Sequence, residues 1–176
     1  MTRWIALFRG INVGGNNMLP MKALRALLEE IGCEEVKTYI QSGNVIFSHS
    51  LDSSASLSTL IAKAVLDSHD FEPKVLLLTV AEMSEIANLN PFPQAEDNPT
   101  SLSVFFLAQE PISAAIDEMR KIKSKSESFS LIGSAFFLHA PDGSGRSKLA
   151  AKAEKLLGVC ATARNWRTVT KILELV

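Results

Sequence analysis

VKTYIQSGNVIFSH, residues 36–49, joins two β-prone segments through Ser42-Gly43, the composition of a tight hairpin. Val36, Tyr39, Val45 and Phe47 provide branched and aromatic positions for strands over 36–41 and 44–48. Outward from the hairpin, the flanking elements decide the topology. Upstream, residues 4–8 form a short apolar run suited to a buried strand. Between that run and the hairpin, Pro20 suits the first turn of a helix, and Met21, Leu24, Leu27, Leu28 and Ile31 recur at helical spacing. Gly32 suits the position just past its end. Downstream, Ser53 or Ser54 caps a helix with Leu57, Leu60, Ile61, Ala64 and Val65 on one face, and residues 74–80 make another strand. The order is βαββαβ, the split β-α-β pattern of the ferredoxin-like fold.

The order then begins again. A helix opened by Thr79, with Glu82 as the partner in a capping box, carries Met83, Ile86 and Ala87 and ends near Asn88. NLNPFPQAEDNPT, residues 88–100, has three prolines and little periodicity, the marks of a linker. Residues 102–107 form a strand, and Pro111 opens a helix bearing Ile112, Ala115, Ile116, Met119 and Ile122. Residues 129–132 and 135–139 form a hairpin across Gly133-Ser134. A helix with Leu149, Ala153, Leu156 and Leu157 ends at Gly158, a short strand covers 160–163, and Trp166, Val169, Ile172, Leu173 and Val176 define a terminal helix. The two hairpins also align as SGNVIFSHSLD and IGSAFFLHAPD, with Gly43 over Gly133, Phe47 over Phe137, His49 over His139 and Asp52 over Asp142. A sequence echo that coincides with a repeated element order points to duplication. The expected fold class is α+β: two tandem ferredoxin-like βαββαβ repeats with antiparallel sheets and a C-terminal helix. The first repeat occupies 1–80, a connecting helix and Pro-rich linker 81–100, and the second repeat with the terminal helix 101–176.

Composition narrows the function classes. The chain has 176 residues, and its 18 Lys+Arg against 19 Asp+Glu give a net charge of -1, which argues against nucleic-acid binding by bulk charge. Hydrophobic residues at 47% and charged residues at 21% are globular proportions that exclude disorder and collagen. No apolar run approaches the ~20 residues of a membrane helix, and Arg9 interrupts the N-terminal one, so neither a membrane span nor a signal peptide is expected. Cys33 and Cys160 are too few for a disulfide framework or a four-ligand metal site, and free thiols suit a cytoplasmic protein. His49, His69 and His139 lack metal-ligand spacing, no Gly-x-Ser-x-Gly elbow occurs, and neither cysteine has the neighbours of a nucleophile. No metal and no cofactor is expected, and the sequence names no reaction.

Four polar segments are candidates for ligand binding. Residues 141–149, PDGSGRSKL, lead from a strand into a helix. There Gly143 and Gly145 free backbone amides to turn toward an anion, the helix N-terminus adds partial positive charge, and Ser144, Arg146, Ser147 and Lys148 add donors. The spacing matches neither the Walker loop nor G-x-G-x-x-G. The plainer reading makes Asp142-Gly143 a turn and Ser147 an N-cap. Residues 9–17, RGINVGGNN, form a loop in which Gly14 and Gly15 accept positive φ and Arg9 and Asn12 offer donors at a strand's edge. Residues 162–168, TARNWRT, place Arg164 and Asn165 at a helix start beside Trp166, which suits a core anchor. Gln41 and Asn44 in the first hairpin complete the set, although Asn44 also suits the turn itself. Within one repeat the loop after the first strand and the hairpin are expected at opposite ends of the sheet, so their sharing a site would need the repeats packed end to end.

Five spaced motifs, ALFRGINVGGNN-x-LPMKALRALLEEIG, TYIQSGNVIF, NPFP, PDGSGRSKL and TARNWRTV, cover nearly the whole chain. In these the sequence resembles the uncharacterised, mainly bacterial family known as domain of unknown function 1697. The resemblance implies a two-repeat α+β arrangement with ferredoxin-like elements and supplies no activity, substrate or cofactor. It implies that Arg9, Gly10, Asn12, Gly14, Gly15, Gln41, Ser42, Gly43, Asn44, Gly143, Gly145, Ser147, Lys148, Arg164, Asn165 and Trp166 occupy family motif positions. Phe8 stands where a leucine is usual.

The first functional expectation is that the polar loops converge in a cleft between the repeats and bind a small anionic or phosphorylated ligand, nucleotide-like in character. Amides around 143–147 would hold the anion, Lys148 and Arg164 would neutralise it, and Asn12, Gln41 or Asn165 would orient the rest. One rival is RNA or single-stranded nucleic-acid binding on a sheet face through Phe47, Phe106, Phe136 or Phe137. Another is a non-enzymatic protein-interaction module. A membrane partner is not expected, and oligomeric state is not readable from the sequence.

Overall fold

The computed structural model describes residues 1–176. Its elements run β1 (Thr2–Arg9), α1 (Met21–Glu30), β2 (Glu34–Tyr39), β3 (Asn44–His49), α2 (Ser54–His69) and β4 (Lys74–Thr79), followed by α3 (Val80–Asn88). The second series is β5 (Leu102–Leu107), α4 (Ile116–Ile122), β6 (Ser128–Ile132), β7 (Ala135–His139), α5 (Lys148–Leu157) and β8 (Ala161–Asn165), closed by α6 (Trp166–Leu175). Two four-stranded sheets result, ordered β2-β3-β1-β4 and β6-β7-β5-β8. Every neighbouring pair is antiparallel, the arrangement of two ferredoxin-like βαββαβ repeats.

The chain divides into two compact units, Met1–Glu85 with Ile172–Val176, and Ile86–Lys171. The last five residues, counted with the second repeat in the sequence reading, thus belong with the first unit. In the first unit, alternate residues Trp4, Ala6 and Phe8 of β1 and Val45 and Phe47 of β3 enter one cluster with Leu24 and Leu28 of α1 and Leu57, Ile61 and Val65 of α2. Ile5, Leu7 and Ile46, which point to the other face, are also fully buried, so β1 reads as an unbroken apolar run. In the second unit Phe105, Leu107, Phe136 and Leu138 enter a cluster with Met119 of α4 and Leu149, Ala153 and Leu157 of α5. Phe105 and Phe136 meet edge to face at 5.4 Å.

The register corrects the alignment of the two hairpins. Phe47 enters its core cluster and lies opposite Trp4; the core position in the second repeat belongs to Leu138, with Phe137 on the other face opposite Val104. The sequence echo is therefore one residue out of structural register, and one residue in a strand reverses the face. The two turns also differ. Gly133 and Ser134 alone link β6 to β7, whereas residues 40–43 link β2 to β3. β2 ends at Tyr39, and Ile40, the first residue of the turn, is left-handed at φ 50°.

Helix ends follow their local chemistry. The Thr79 amide and hydroxyl donate to Glu82 at 2.7 and 2.9 Å, while the Glu82 amide donates to Thr79 Oγ1 at 3.2 Å, a complete capping box. Ser53 caps α2. The helix expected from Pro111 begins only at Ile116. The Ala115 amide instead donates to the Leu156 carbonyl at 2.8 Å, which holds that residue out of the helix. Ile112, expected on its buried face, is 95% exposed. The Pro-rich linker is also packed: Pro93–Asp97 form a 3-10 turn with Ala95 buried, and the Phe92 ring lies 5.9 Å from that of His139. No helix is long and apolar enough to cross a membrane.

Candidate functional site

β6 and β7 are antiparallel with Ser128 opposite His139, so the segment entering β6 must lie beside the segment leaving β7. These are the α4–β6 link and the loop 141–147. Together they enclose a pocket of about 350 Å³ lined by Ile122, Ser124, Glu127, Asp142, Gly143, Arg146, Ser147 and Lys148. Gly143 turns the chain at φ 95°, residues Ser144–Arg146 make one 3-10 turn, and Ser147 caps α5 by accepting the Ala150 amide at 2.9 Å.

The hydrogen bonds sort the loop's groups into those used by the fold and those left over. The amides of Gly143, Arg146 and Ser147 donate to the carbonyls of Ala140, Gly143 and Ser144. The expected cradle of consecutive amides is thus reduced: Gly143 and Ser147 spend their amides on the turn, and the Ser147 hydroxyl is the cap. The amides of Gly145, Lys148 and Leu149 make no bond within the chain, and the last two carry the partial positive charge of the α5 N-terminus. Arg146 and Lys148 are exposed and make no ion pair. Asp142 accepts the Ser126 hydroxyl at 2.6 Å. Glu127 is buried, and one of its oxygens accepts the Ser124 amide at 2.8 Å. Lys123 ties the same link together by donating to the Ser124 and Glu127 carbonyls.

Glu127, Ser124 and Ser126 are the residues that motif reading missed. Their signal was topological: once 128–132 and 135–139 are paired, SKSES at 124–128 has to face PDGSG.

The remaining candidates divide between the units. In the first, Asn12 adopts φ 53°, donates Nδ2 to the Leu19 and Gln41 carbonyls at 2.9 Å each, and accepts the Leu19 amide at 2.7 Å. The loop after β1 and the β2–β3 turn therefore lie at the same end of the sheet, contrary to expectation. The reason is that β1 and β3 run antiparallel, with Leu7 opposite Asn44 and the Phe8 amide bonded to the Gly43 carbonyl at 2.8 Å. Asn12 is spent on this junction. Asn44 is fully buried and donates to the Tyr39 carbonyl and Ser42 hydroxyl, so it too is structural. Gly14 and Gly15, at φ 58° and 79°, turn a small hairpin bridged by Val13 and Asn16. Arg9 is half-buried at the end of β1, and Gln41 is exposed.

In the second unit, Asn165 accepts the Thr168 amide at 2.9 Å and caps α6. Arg164 lies opposite Val104 and donates to the Ala163 carbonyl at 2.8 Å; burial pushes its pKa down to about 10. Trp166 is buried, as a core anchor should be. Phe47, Phe106, Phe136 and Phe137 are all fully buried, so none of the four is presented for base stacking. Cys33 is buried and its thiol is pushed up to about 12 by desolvation, while Cys160 is exposed; neither forms a disulfide.

Two ferredoxin-like units in tandem, with a polar pocket at one loop junction, define the structural class. Residues 1–137 match the model of the family described as Protein of unknown function (DUF1697), and the chain belongs to that family. The match takes in the segments around Arg9, Asn12, Gln41 and Asn44 and ends before Gly143. The chain is similar over its length to the conserved bacterial protein SP0830 from Streptococcus pneumoniae, with 25% identity, a TM-score of 0.77, and coverage of 99% of this chain and 98% of that one. No curated protein matches.

Proposed function

We propose that this chain is a cytoplasmic binding protein for a small anionic or phosphorylated ligand, held in the pocket between the α4–β6 link and the N-terminus of α5. The observation that carries the reading is the pair of unpaired cations, Arg146 and Lys148, lining one 350 Å³ cavity with the start of α5. That volume suits a small metabolite. A guanidinium and an ammonium beside a helix N-terminus attract a phosphate or carboxylate more strongly than the free amides do by themselves. Arg146 suits bidentate contact, Lys148 a point charge, and the amides of Lys148 and Leu149 the remaining acceptor oxygens. Free thiols support the cytoplasmic location.

Thermal unfolding of the wild type and Lys148→Ala against nucleotides, sugar phosphates, simple anions and short RNA tests the reading. A ligand at ~100 times its dissociation constant adds about 2.7 kcal/mol, a shift of roughly 5–10 °C at this size. Stabilisation of the wild type by a phosphorylated small molecule, lost in Lys148→Ala, is the expected result. Stabilisation by RNA alone, or an equal shift in the variant, overturns it.

A further inference from the structure

The same pocket holds two acids as well as two bases. Glu127 and Asp142 line it together with Arg146 and Lys148, for a formal sum of zero. None of the four pairs with another. Oppositely charged side chains around one small cavity ordinarily neutralise each other; here the two acids are held by other groups and the two bases are left unpaired. Glu127 is only 5% exposed and its Oε2 accepts the Ser124 amide, while Asp142 Oδ2 accepts the Ser126 hydroxyl. The second oxygen of Glu127 accepts no bond within the chain, and no polar side-chain atom of the protein is both buried and unsatisfied. That oxygen is therefore open to solvent, and the opening Glu127 lines is the pocket. A largely buried carboxylate with one oxygen open to a pocket is an acceptor that a ligand's donor can reach.

From this arrangement we infer that the ligand is a small zwitterion, with an ammonium group a few bonds from a phosphate or carboxylate. The inference rests on the anion reading above and adds the second pole. Arg146, Lys148 and the α5 amides take the anionic end, and Glu127 with Asp142 takes the ammonium. A simple dianion meets two carboxylates as well as two cations and gains little net attraction; a zwitterion matches both signs. Charge-assisted bonds of this kind discriminate by about tenfold or more when the partner is partly desolvated.

Calorimetric titration of the full chain with O-phosphoethanolamine, ethyl phosphate and inorganic phosphate separates the two levels. The expected result is O-phosphoethanolamine binding about tenfold or more tighter than ethyl phosphate, with Glu127→Gln erasing the difference by weakening O-phosphoethanolamine and, through the lost repulsion, holding or tightening ethyl phosphate. Glutamine keeps an oxygen for the Ser124 amide, and Asp142→Asn at the exposed rim, which keeps an oxygen for the Ser126 hydroxyl, provides a second variant. Equal or tighter binding of ethyl phosphate by the wild type overturns the zwitterion and leaves the anion reading standing. No binding of any of the three overturns both. A preference for the amine that survives both Glu127→Gln and Asp142→Asn overturns the assignment of these carboxylates.

Discussion

Asn12 donates its side-chain amide to the Gln41 carbonyl at 2.9 Å, joining residues 29 positions apart across the end of one sheet. The bond makes the Gly-rich loop and the hairpin turn a single structural junction. Asn12 also takes both backbone groups of Leu19, a fully buried residue. One side chain thus fixes the exit of β1, the approach to α1 and the β2–β3 turn.

Asn12→Ala removes three hydrogen bonds and leaves the Leu19 amide without an acceptor. The expected loss is about 2 kcal/mol, or roughly 4–8 °C in melting temperature. Asn12→Asp keeps the acceptor for the Leu19 amide but sets a carboxylate against two carbonyls, so it destabilises at least as much. An aspartate variant as stable as the wild type contradicts the clamp.

Gly43 has a positive φ of 76°, and a Cβ built there falls 2.6 Å from both Phe8 Cβ and Ile11 Cδ1. Gly43→Ala combines left-handed strain with overpacking and costs about 2–4 kcal/mol. Gly14, at φ 58°, has nothing within 4 Å of its would-be Cβ, so Gly14→Ala costs about 1 kcal/mol from the backbone alone. Urea midpoints of the two variants should differ in that order, and equal midpoints contradict it.

Ser147 and Lys148 are neighbours with separate roles. Ser147→Ala removes the α5 cap, lowering stability by about 1 kcal/mol while keeping the response to a phosphorylated ligand, because its hydroxyl is already bonded to Ala150. Lys148→Ala should do the reverse. Paired thermal melts with and without ligand check this crossing pattern, and a Ser147→Ala protein blind to the ligand breaks it.

The two thiols should separate under a thiol reagent. Native chain at pH 8 exposes Cys160 and shields Cys33, so one thiol reacts promptly and the second only after denaturation. The pH dependence follows from the same burial. Cys33 is raised from 9.0 to about 12, so above pH 9 the unfolded chain releases a proton that the folded chain keeps. Stability therefore falls as pH rises from about 9 toward 12. Cys33→Ala should flatten that part of the curve relative to wild type, and parallel curves contradict the assignment.

Local chemistry was legible without coordinates. The Thr79–Glu82 capping box, the Ser53 and Ser147 caps, the Gly133-Ser134 turn and the strand over 102–107 all depend on neighbours a few residues apart. Periodicity alone located the core faces of α1, α2 and α5, because a helix must present a continuous apolar side. Those short-range signals sufficed for two ferredoxin-like repeats, the hairpin order and the buried role of Trp166.

Register and loop proximity required the tertiary structure. The hairpin echo aligned Phe47 with Phe137, but the pairing of β7 with β5 sends Phe137 to the other face; a strand's period of two makes that error invisible to sequence similarity. The helix expected from Pro111 shortened because a carbonyl from another segment, Leu156, captured the Ala115 amide. Asn12, Asn44 and Asn165 look like ligand contacts in a polar motif, and only their long-range or capping bonds show them to be spent. Glu127 had no motif at all: it enters the pocket because antiparallel β6 and β7 bring its loop beside Asp142. Sequence determines which groups each segment can offer; which of those groups remain unpaired is decided by the pairing of distant strands.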